Sequence, residues 1–345
     1  MPRATTTQLS VELLEGREVP ATIFAVNSAG RLLTFDSSNP SVLIGNLRIS
    51  GLASNEHITD IDVRPGTGGL YGRSDLGRLY VINTFSGFAT GIGVAVPTSS
   101  RNVAIDFDPT SDQLRITGNN TINYAINPNT GQIVAAGANL AYRAGDFSQG
   151  LSPRITGLAY TGGNGIALAT TLYGIDHIRN TLVAIGNSSA NDGQVRTLGS
   201  LGFDAVANIG FDIDSSANTG YASLQQVGTA FSRFYIINLN TGTASLVGTI
   251  GPNRLIYDIA VARGFTVAGG SGFAAPTNTS PVFTTPSPAF TTPTPSFTTP
   301  LFPTLVQPLA TGLVSPAFAF TTTTTTSTTP NFFNSGIGFG GTSFF

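Results

Sequence analysis

Asp60-Ile61-Asp62-Val63-Arg64-Pro65 has four counterparts further along this chain, and its returns decide the fold. The counterparts are Ala104-Ile105-Asp106-Phe107-Asp108-Pro109, Gly157-Leu158-Ala159-Tyr160-Thr161-Gly162, Gly210-Phe211-Asp212-Ile213-Asp214-Ser215 and Asp258-Ile259-Ala260-Val261-Ala262-Arg263. From Ile61 through Ile105, Leu158 and Phe211 to Ile259 the steps are 44, 53, 53 and 48 residues. Self-similarity at such a period, built from short apolar strands, marks a propeller-like array.

The rest of each unit follows one plan. A second strand carries Leu70-Tyr71, Leu114-Arg115, Leu172-Tyr173 or Gly220-Tyr221. A third reads Leu79-Tyr80-Val81-Ile82, Tyr124-Ala125-Ile126, Leu182-Val183-Ala184-Ile185 or Phe234-Tyr235-Ile236-Ile237. A turn ending in Gly87, Gly131, Gly193 or Gly242 comes next, since Gly takes positive φ without steric cost. A fourth strand closes at Gly93, Gly137, Gly199 or Gly248. Four antiparallel strands make one propeller blade.

The fifth unit is divided. Its first strand, around Ile259, stands at the end of the array. The other three are expected at Thr22–Val26, Arg31–Asp36 and Val42–Leu47. Joining the two ends closes the ring and removes an open sheet edge. The expected fold is therefore an all-β, five-bladed β-propeller over 22–263 with split-blade closure and twenty strands.

Composition agrees. Gly (41) and Pro (20) are frequent, Glu occurs four times, and Lys and Cys are absent. Without Cys there is no disulfide, thiolate metal site or thiol nucleophile. A net charge of −2 leaves no basic footprint for nucleic acid. No apolar run is long enough for a helical membrane span.

The modules resemble the bacterial domain of unknown function 4394. The resemblance rests on Ile61-Asp62-Val63-Arg64-Pro65, Ile105-Asp106-Phe107-Asp108-Pro109, Gly69-Leu70-Tyr71-Gly72 and Ile237-Asn238-Leu239-Asn240-Thr241-Gly242-Thr243-Ala244. It implies a propeller and carries no established activity or catalytic residues.

Two flanking segments have their own character. Leu14-Glu15-Gly16-Arg17-Glu18-Val19-Pro20-Ala21 resembles the Leu-Glu-x-Arg-x-x-Pro-Ala leader of extracytoplasmic planctomycete proteins. It makes 1–21 a leader or arm and implies a secreted or cell-surface location. Residues 264–345 form a Thr/Pro/Phe-rich tail with no charged residue, three Phe-Thr-Thr-Pro phrases at Phe283, Phe290 and Phe297, and an unbroken run from Thr321 to Thr326. Such low complexity, with no patterned apolar face, reads as disordered and either a passive spacer or a Phe-dotted adhesive segment.

Candidate chemistry is sparse. Asp62, Asp106 and Asp212 share one repeat position, where the remaining blades carry Ala159 and Ala260. Facing one channel, three carboxylates can hold Ca²⁺ through oxygen. The structural alternative is that each Asp accepts N–H groups of its own or the next blade and locks the ring. Asp108 and Asp214 read as turn starters. His57 and His177 lie in different blades without a partner acid or nucleophile at a recognisable spacing. Arg64, Arg73, Arg78 and Arg101 are expected on one exposed rim. Gly162-Gly163-Asn164-Gly165 opens no helix and so makes no phosphate cradle.

The expected function is an exported, non-enzymatic, monomeric binding or scaffold module toward a protein or envelope surface, with no cofactor. Two alternatives stay open: an extracellular glycan- or Ca²⁺-binding propeller enzyme, and an envelope component assembled through the tail.

Overall fold

A computed structural model describes residues 20–96, 98, 102–162 and 170–262. The expected leader, apart from its last two residues, and the Thr/Pro/Phe-rich tail lie outside the described residues. The described residues form five sheets, each built on four antiparallel strands. The strands from the N-terminal side are β1 (Thr22–Asn27), β2 (Arg31–Asp36) and β3 (Asn39–Arg48). Blade 1 is β4 (Ile58–Val63), β5 (Leu70–Ser74), β6 (Leu79–Ile82) and β7 (Ala89–Ile92). Blade 2 is β8 (Val103–Asp108), β9 (Gln113–Gly118), β10 (Asn123–Ile126) and β11 (Ile133–Ala136). After a short β12 (Ala141–Tyr142), blade 3 is β13 (Ile155–Tyr160), β14 (Leu172–Asp176), β15 (Thr181–Ile185) and β16 (Gln194–Ser200). Blade 4 is β17 (Ala205–Asp214), β18 (Thr219–Gln226), β19 (Arg233–Ile237) and β20 (Ala244–Thr249), and β21 (Ile256–Val261) follows.

Strand β21 joins the N-terminal strands in the order β21-β1-β2-β3. The antiparallel register sets Ile23 opposite Val261 and Ala25 opposite Ile259. The ring therefore closes through one hybrid blade, as the divided repeat requires. The described strands number twenty-one rather than twenty. The additional strand, β12, pairs in parallel with β16. It is fixed there because the buried Tyr142 hydroxyl donates to Asp176 Oδ2 at 2.8 Å.

The recurrent Asn-x-x-x-Gly turn has a local cause. Asn83, Asn127 and Asn238 each accept the N–H two residues on through Oδ1, at 2.9 Å in every case. Each backbone carbonyl then takes the N–H of Gly87, Gly131 or Gly242 at 2.8 Å. Those glycines have φ of 75°, 71° and 78°, the left-handed region that side chains disfavour. The Asn bends the chain and the Gly lets it return as the outer strand.

The core lies between blades. Five buried apolar clusters fill the five interfaces. Between blade 4 and the hybrid blade, Phe35 meets Phe234 edge-on with ring centroids 5.2 Å apart. Between blades 1 and 2, Tyr71 meets Phe107 in the same manner at 5.1 Å. Inner strands β4, β8, β13, β17 and β21 pack in a closed cycle around the axis. Their spacing is tight at β17–β21, where a Cβ on Gly210 would lie 2.6 Å from Ile259 N.

Candidate functional site

The inner strands bring equivalent residues to equivalent heights around the axis. Asp62, Asp106 and Asp212 are 1–2 % exposed. One carboxylate oxygen from each lies within 4.8 Å of the others. Their partners are strand N–H groups. Asp62 accepts Val63 N–H and Phe107 N–H, both at 2.6 Å. Asp106 accepts Tyr160 N–H at 2.7 Å. Asp212 accepts Ile213 N–H and Val261 N–H, both at 2.6 Å. In each case the cross-blade donor belongs to the next inner strand, one position beyond the Asp column. Charge-assisted bonds of this kind are short and strong.

The closing junction uses the same device two residues earlier. Asp258 accepts its own neighbour Ile259 N–H at 2.9 Å and Ile61 N–H at 2.8 Å. Ala260, which the repeat alignment places in the Asp column, is thus relieved of the role. Sequence reading singled out Asp62, Asp106 and Asp212 and missed Asp258. Blades 3 and 4 have no such Asp at their junction. Ala159 is fully buried there, and a Cβ on Gly157 would approach Ile209 Cγ2 to 2.7 Å. Direct packing takes the place of the clasp.

Since these carboxylates serve blade-to-blade contacts, millimolar Ca²⁺ is expected to raise the melting temperature little. A gain of about 2.7 kcal/mol, the value for a native-state ligand at a hundred times its Kd, that disappeared in Asp106→Ala would assign an ion to this tier.

A cavity of about 330 Å³ opens where the inner strands begin. Each blade contributes one equivalent residue: Thr59, Val103, Thr156, Ile209 and Tyr257. This ring stands three residues ahead of the clasp column, roughly 10 Å along a strand. Asp60, His57, Asp75, Ser28, Asn102 and Asn208 also line the mouth. His57 donates its backbone N–H to Asp75 Oδ1 at 3.1 Å. Asp60 takes the Thr59 hydroxyl at 2.8 Å and faces Arg73 Nη1 at 3.5 Å. Thr156 is 2 % exposed, and its Oγ1 has no hydrogen-bond partner among the described residues.

Burial pushes the Asp60 carboxyl up to about 6, against the opposing pull of Arg73 and the Thr59 hydroxyl. Asp258 is pushed well above the ordinary carboxylate range by burial and by Asp60, while the N–H groups of Ile61 and Ile259 oppose the shift. The native chain therefore holds protons that the unfolded chain has released. For Asp60 that stability is complete below the unfolded value near pH 4 and is lost as pH rises through about 6, and Asp258 contributes in the same direction. Despite burial, Asp146 and Asp192 are held below the ordinary range by backbone N–H donors, so their contribution changes below about pH 4. The melting temperature is accordingly expected to fall by several degrees between pH 4.5 and 7, and Asp60→Asn should flatten that slope. A flat profile for the native chain would refute the assignment.

The expected arginine rim is not observed. Arg73 is 1 % exposed and lies beside Asp60 and Thr98, which accepts from Nη2 at 2.9 Å. Arg78 faces Glu56 at 3.7 Å. Arg64 sits at the opposite end of its strand, where it engages Asp112 and donates to the Tyr71 hydroxyl at 3.0 Å and Asn129 Oδ1 at 2.8 Å. Arg101 and the glycines after Gly162 in the Gly-rich segment lie outside the described residues. Long guanidinium stems reach buried acceptors that strand position alone does not reveal. Asp108 and Asp214 do start turns, accepting Thr110 N–H at 2.9 Å and Ser216 N–H at 2.8 Å. His177 points Nδ1 at the Arg154 carbonyl, 3.0 Å away, and is remote in sequence from the mouth-lining residues.

None of the curated proteins compared with the chain matches it. Among solved structures, a protein of unknown function from Bacteroides caccae is 10 % identical, aligned over 71 % of this chain and 100 % of its own, with a TM-score of 0.42. Another of unknown function from Bacteroides thetaiotaomicron is 15 % identical over 72 % of this chain and 68 % of its own, also at 0.42. The dihydro-heme d1 dehydrogenase NirN, in complex with DHE, is 12 % identical over 65 % and 43 %, at 0.34. Likeness at this level carries no functional argument. The family model described as domain of unknown function (DUF4394) matches residues 31–260, most of the closed ring from β2 to β21, and the chain belongs to that family.

Proposed function

We propose that this chain is an exported, monomeric, non-enzymatic binding module that receives a small ligand at the axial mouth. The observation that carries this reading is the convergence of one residue from each of five blades on a single polar cavity. Ligand sites favour concave places where several elements meet and a few polar groups fix orientation. The chain has neither Cys nor Lys, so two common nucleophiles are missing. The export reading rests on the Leu14-Glu15-Gly16-Arg17-Glu18-Val19-Pro20-Ala21 phrase.

A ligand-observed NMR screen of polar metabolites against the full chain tests the reading. Hits should lose binding when Thr59→Trp fills the mouth and should remain chemically unchanged during incubation. Retained binding in Thr59→Trp would place the ligand elsewhere. Recovery in the cytosolic fraction of native cells would defeat the export reading. One observation favours a second reading, an enzyme: Ser28, His57 and the shifted Asp60 line the same cavity. Turnover of a hit, lost in Asp60→Asn, would establish it.

A further inference from the structure

We infer that the cleft between blades 2 and 3, at the end of the disc away from the mouth, binds a small hydroxylated carboxylate of the sugar-acid kind. Two departures from the repeat meet there. The second strands of blades 1, 3 and 4 set Tyr71, Tyr173 and Tyr221 opposite the clasp column, and blade 2 sets Arg115 there instead. Blades 1, 2 and 4 pass from third to fourth strand through the short Asn-x-x-x-Gly turn, whereas blade 3 takes a longer path through 186–193 around a 3₁₀ turn at Ala190–Asp192. Blades 1 and 4 fold without either departure. The longer turn brings Asn187, Ser188, Ser189 and Asn191 to a cleft of about 690 Å³ whose buried floor includes Arg115 and Tyr160. That volume is within the range of ligand pockets.

The floor presents donors that lack acceptors. Arg115 Nη1 donates to Asn123 Oδ1 at 3.1 Å and Asn191 Oδ1 at 2.7 Å, and Nε donates to the Tyr160 hydroxyl at 3.3 Å. All three acceptors are neutral, and Arg115 makes no ion pair with a carboxylate among the described residues. Arg73 Nε and Arg233 Nε are sealed from solvent without a partner; Arg115 Nη2 has no partner among the described residues either, but it is not sealed and so reaches the cleft. Tyr160 accepts from Arg115 and keeps its O–H to donate. Burial pushes that hydroxyl up to about 12, so it stays protonated at neutral pH. Asn191 likewise accepts through Oδ1 and keeps its NH₂ as a donor. A buried cation without a counter-ion is costly, and an oxyanion supplies both the charge and the acceptors this floor lacks. Asp108 also lines the cleft, with both oxygens engaged by its own turn: Oδ1 takes the Thr110 N–H at 2.9 Å and hydroxyl at 2.6 Å, and Oδ2 takes the Ser111 hydroxyl at 2.9 Å. The stretch 163–169, which adjoins Thr170 in the chain, contains no ionisable side chain. Gln113, Thr171, Asn187, Ser188 and Ser189 line the rest with amides and hydroxyls, which suit the hydroxyl groups of a sugar acid.

The test compares D-gluconate with D-sorbitol, a neutral polyol of the same carbon number. Each is titrated into the full chain in Tris buffer at constant ionic strength and followed by chemical-shift changes. Gluconate should bind about tenfold or more tightly than sorbitol. Its shift changes should fall on Arg115, Tyr160 and 186–191 and spare Thr59 and Tyr257 at the mouth. Arg115→Tyr, which restores the side chain of the other blades, should fold and reduce gluconate to the affinity of sorbitol. Asp108→Asn, which removes a negative charge from the cleft and keeps a turn-forming side chain, should tighten gluconate by roughly threefold or more. It decides the matter if Arg115→Tyr fails to fold. Equal affinity for the two probes, no gluconate binding, full gluconate affinity in Arg115→Tyr, or no tightening in Asp108→Asn would each overturn the inference. So would shift changes confined to Thr59, Thr156 and Tyr257, which would move the anion to the mouth.

Discussion

A chain ended after Arg254 is expected to lose the disc altogether. It lacks β21, whose Ile256, Ile259 and Val261 are each no more than 4 % exposed. Burying three such side chains contributes about 1.5–3 kcal/mol each. Their loss approaches the whole stability of an ordinary domain, about 5–15 kcal/mol. The damage is not confined to one strand. Without β21 the edge of β1 is bare along Ile23 and Ala25, which the ladder to Val261 and Ile259 now covers. Blade 4 loses the Val261 N–H that Asp212 holds, and blade 1 loses the Asp258 clasp on Ile61. An open apolar edge also recruits other chains. Circular dichroism should show no cooperative melt, and size-exclusion chromatography should show aggregates. The matched control, a chain ended after residue 263, should melt like the full chain. A cooperative melt within a few degrees of the control would mean that the ring does not depend on closure.

Closure was legible in the sequence because it is a property of the repeat. The Ile259 phrase had a first strand and no successors, and the N-terminus had three strands and no predecessor. Turn positions were equally legible, since Asn at one end and Gly at the other act within five residues. The Asp column was visible for the same reason. What Asp62, Asp106 and Asp212 bond to was less so, because the acceptors reach N–H groups 45 to 54 residues away. Asp258 escaped notice because alignment put Ala260 in the column, and only the closed ring shows Asp258 doing the work one pleat earlier. The Asp60 and Asp258 positions nonetheless align with each other, and that second acid column was the available signal. The mouth could not be read at all. Thr59, Val103, Thr156, Ile209 and Tyr257 are unremarkable residues that meet only once five blades have closed. The arginine rim failed because reach and burial, not strand position, decide where a guanidinium settles.

Replacing Asp212 should show that the acid column clasps the ring. In Asp212→Ala two buried donors, Ile213 N–H and Val261 N–H, lose their acceptor, each now held at 2.6 Å. A buried donor left unsatisfied costs about 1–3 kcal/mol, so the expected loss is about 2–6 kcal/mol. Asp212→Asn should rescue little. Its amide offers one oxygen, and its NH₂ would face a backbone donor at the other position. Asp214→Ala, in an exposed turn of the same blade, removes acceptors that water can replace and should cost less than about 1 kcal/mol. Urea unfolding reads these differences as shifts in midpoint at constant slope. The measurements belong in EDTA, because the ion-holding alternative predicts the opposite pattern there. Without a cation, three close carboxylates would repel one another, and removing one should stabilise the disc. The clasp predicts a large loss in Asp212→Ala with EDTA present and no further loss on adding it. Since Val261 is the residue Asp212 holds, the same substitution weakens the junction that closes the ring, and its unfolding should resemble a mild form of the Arg254 truncation.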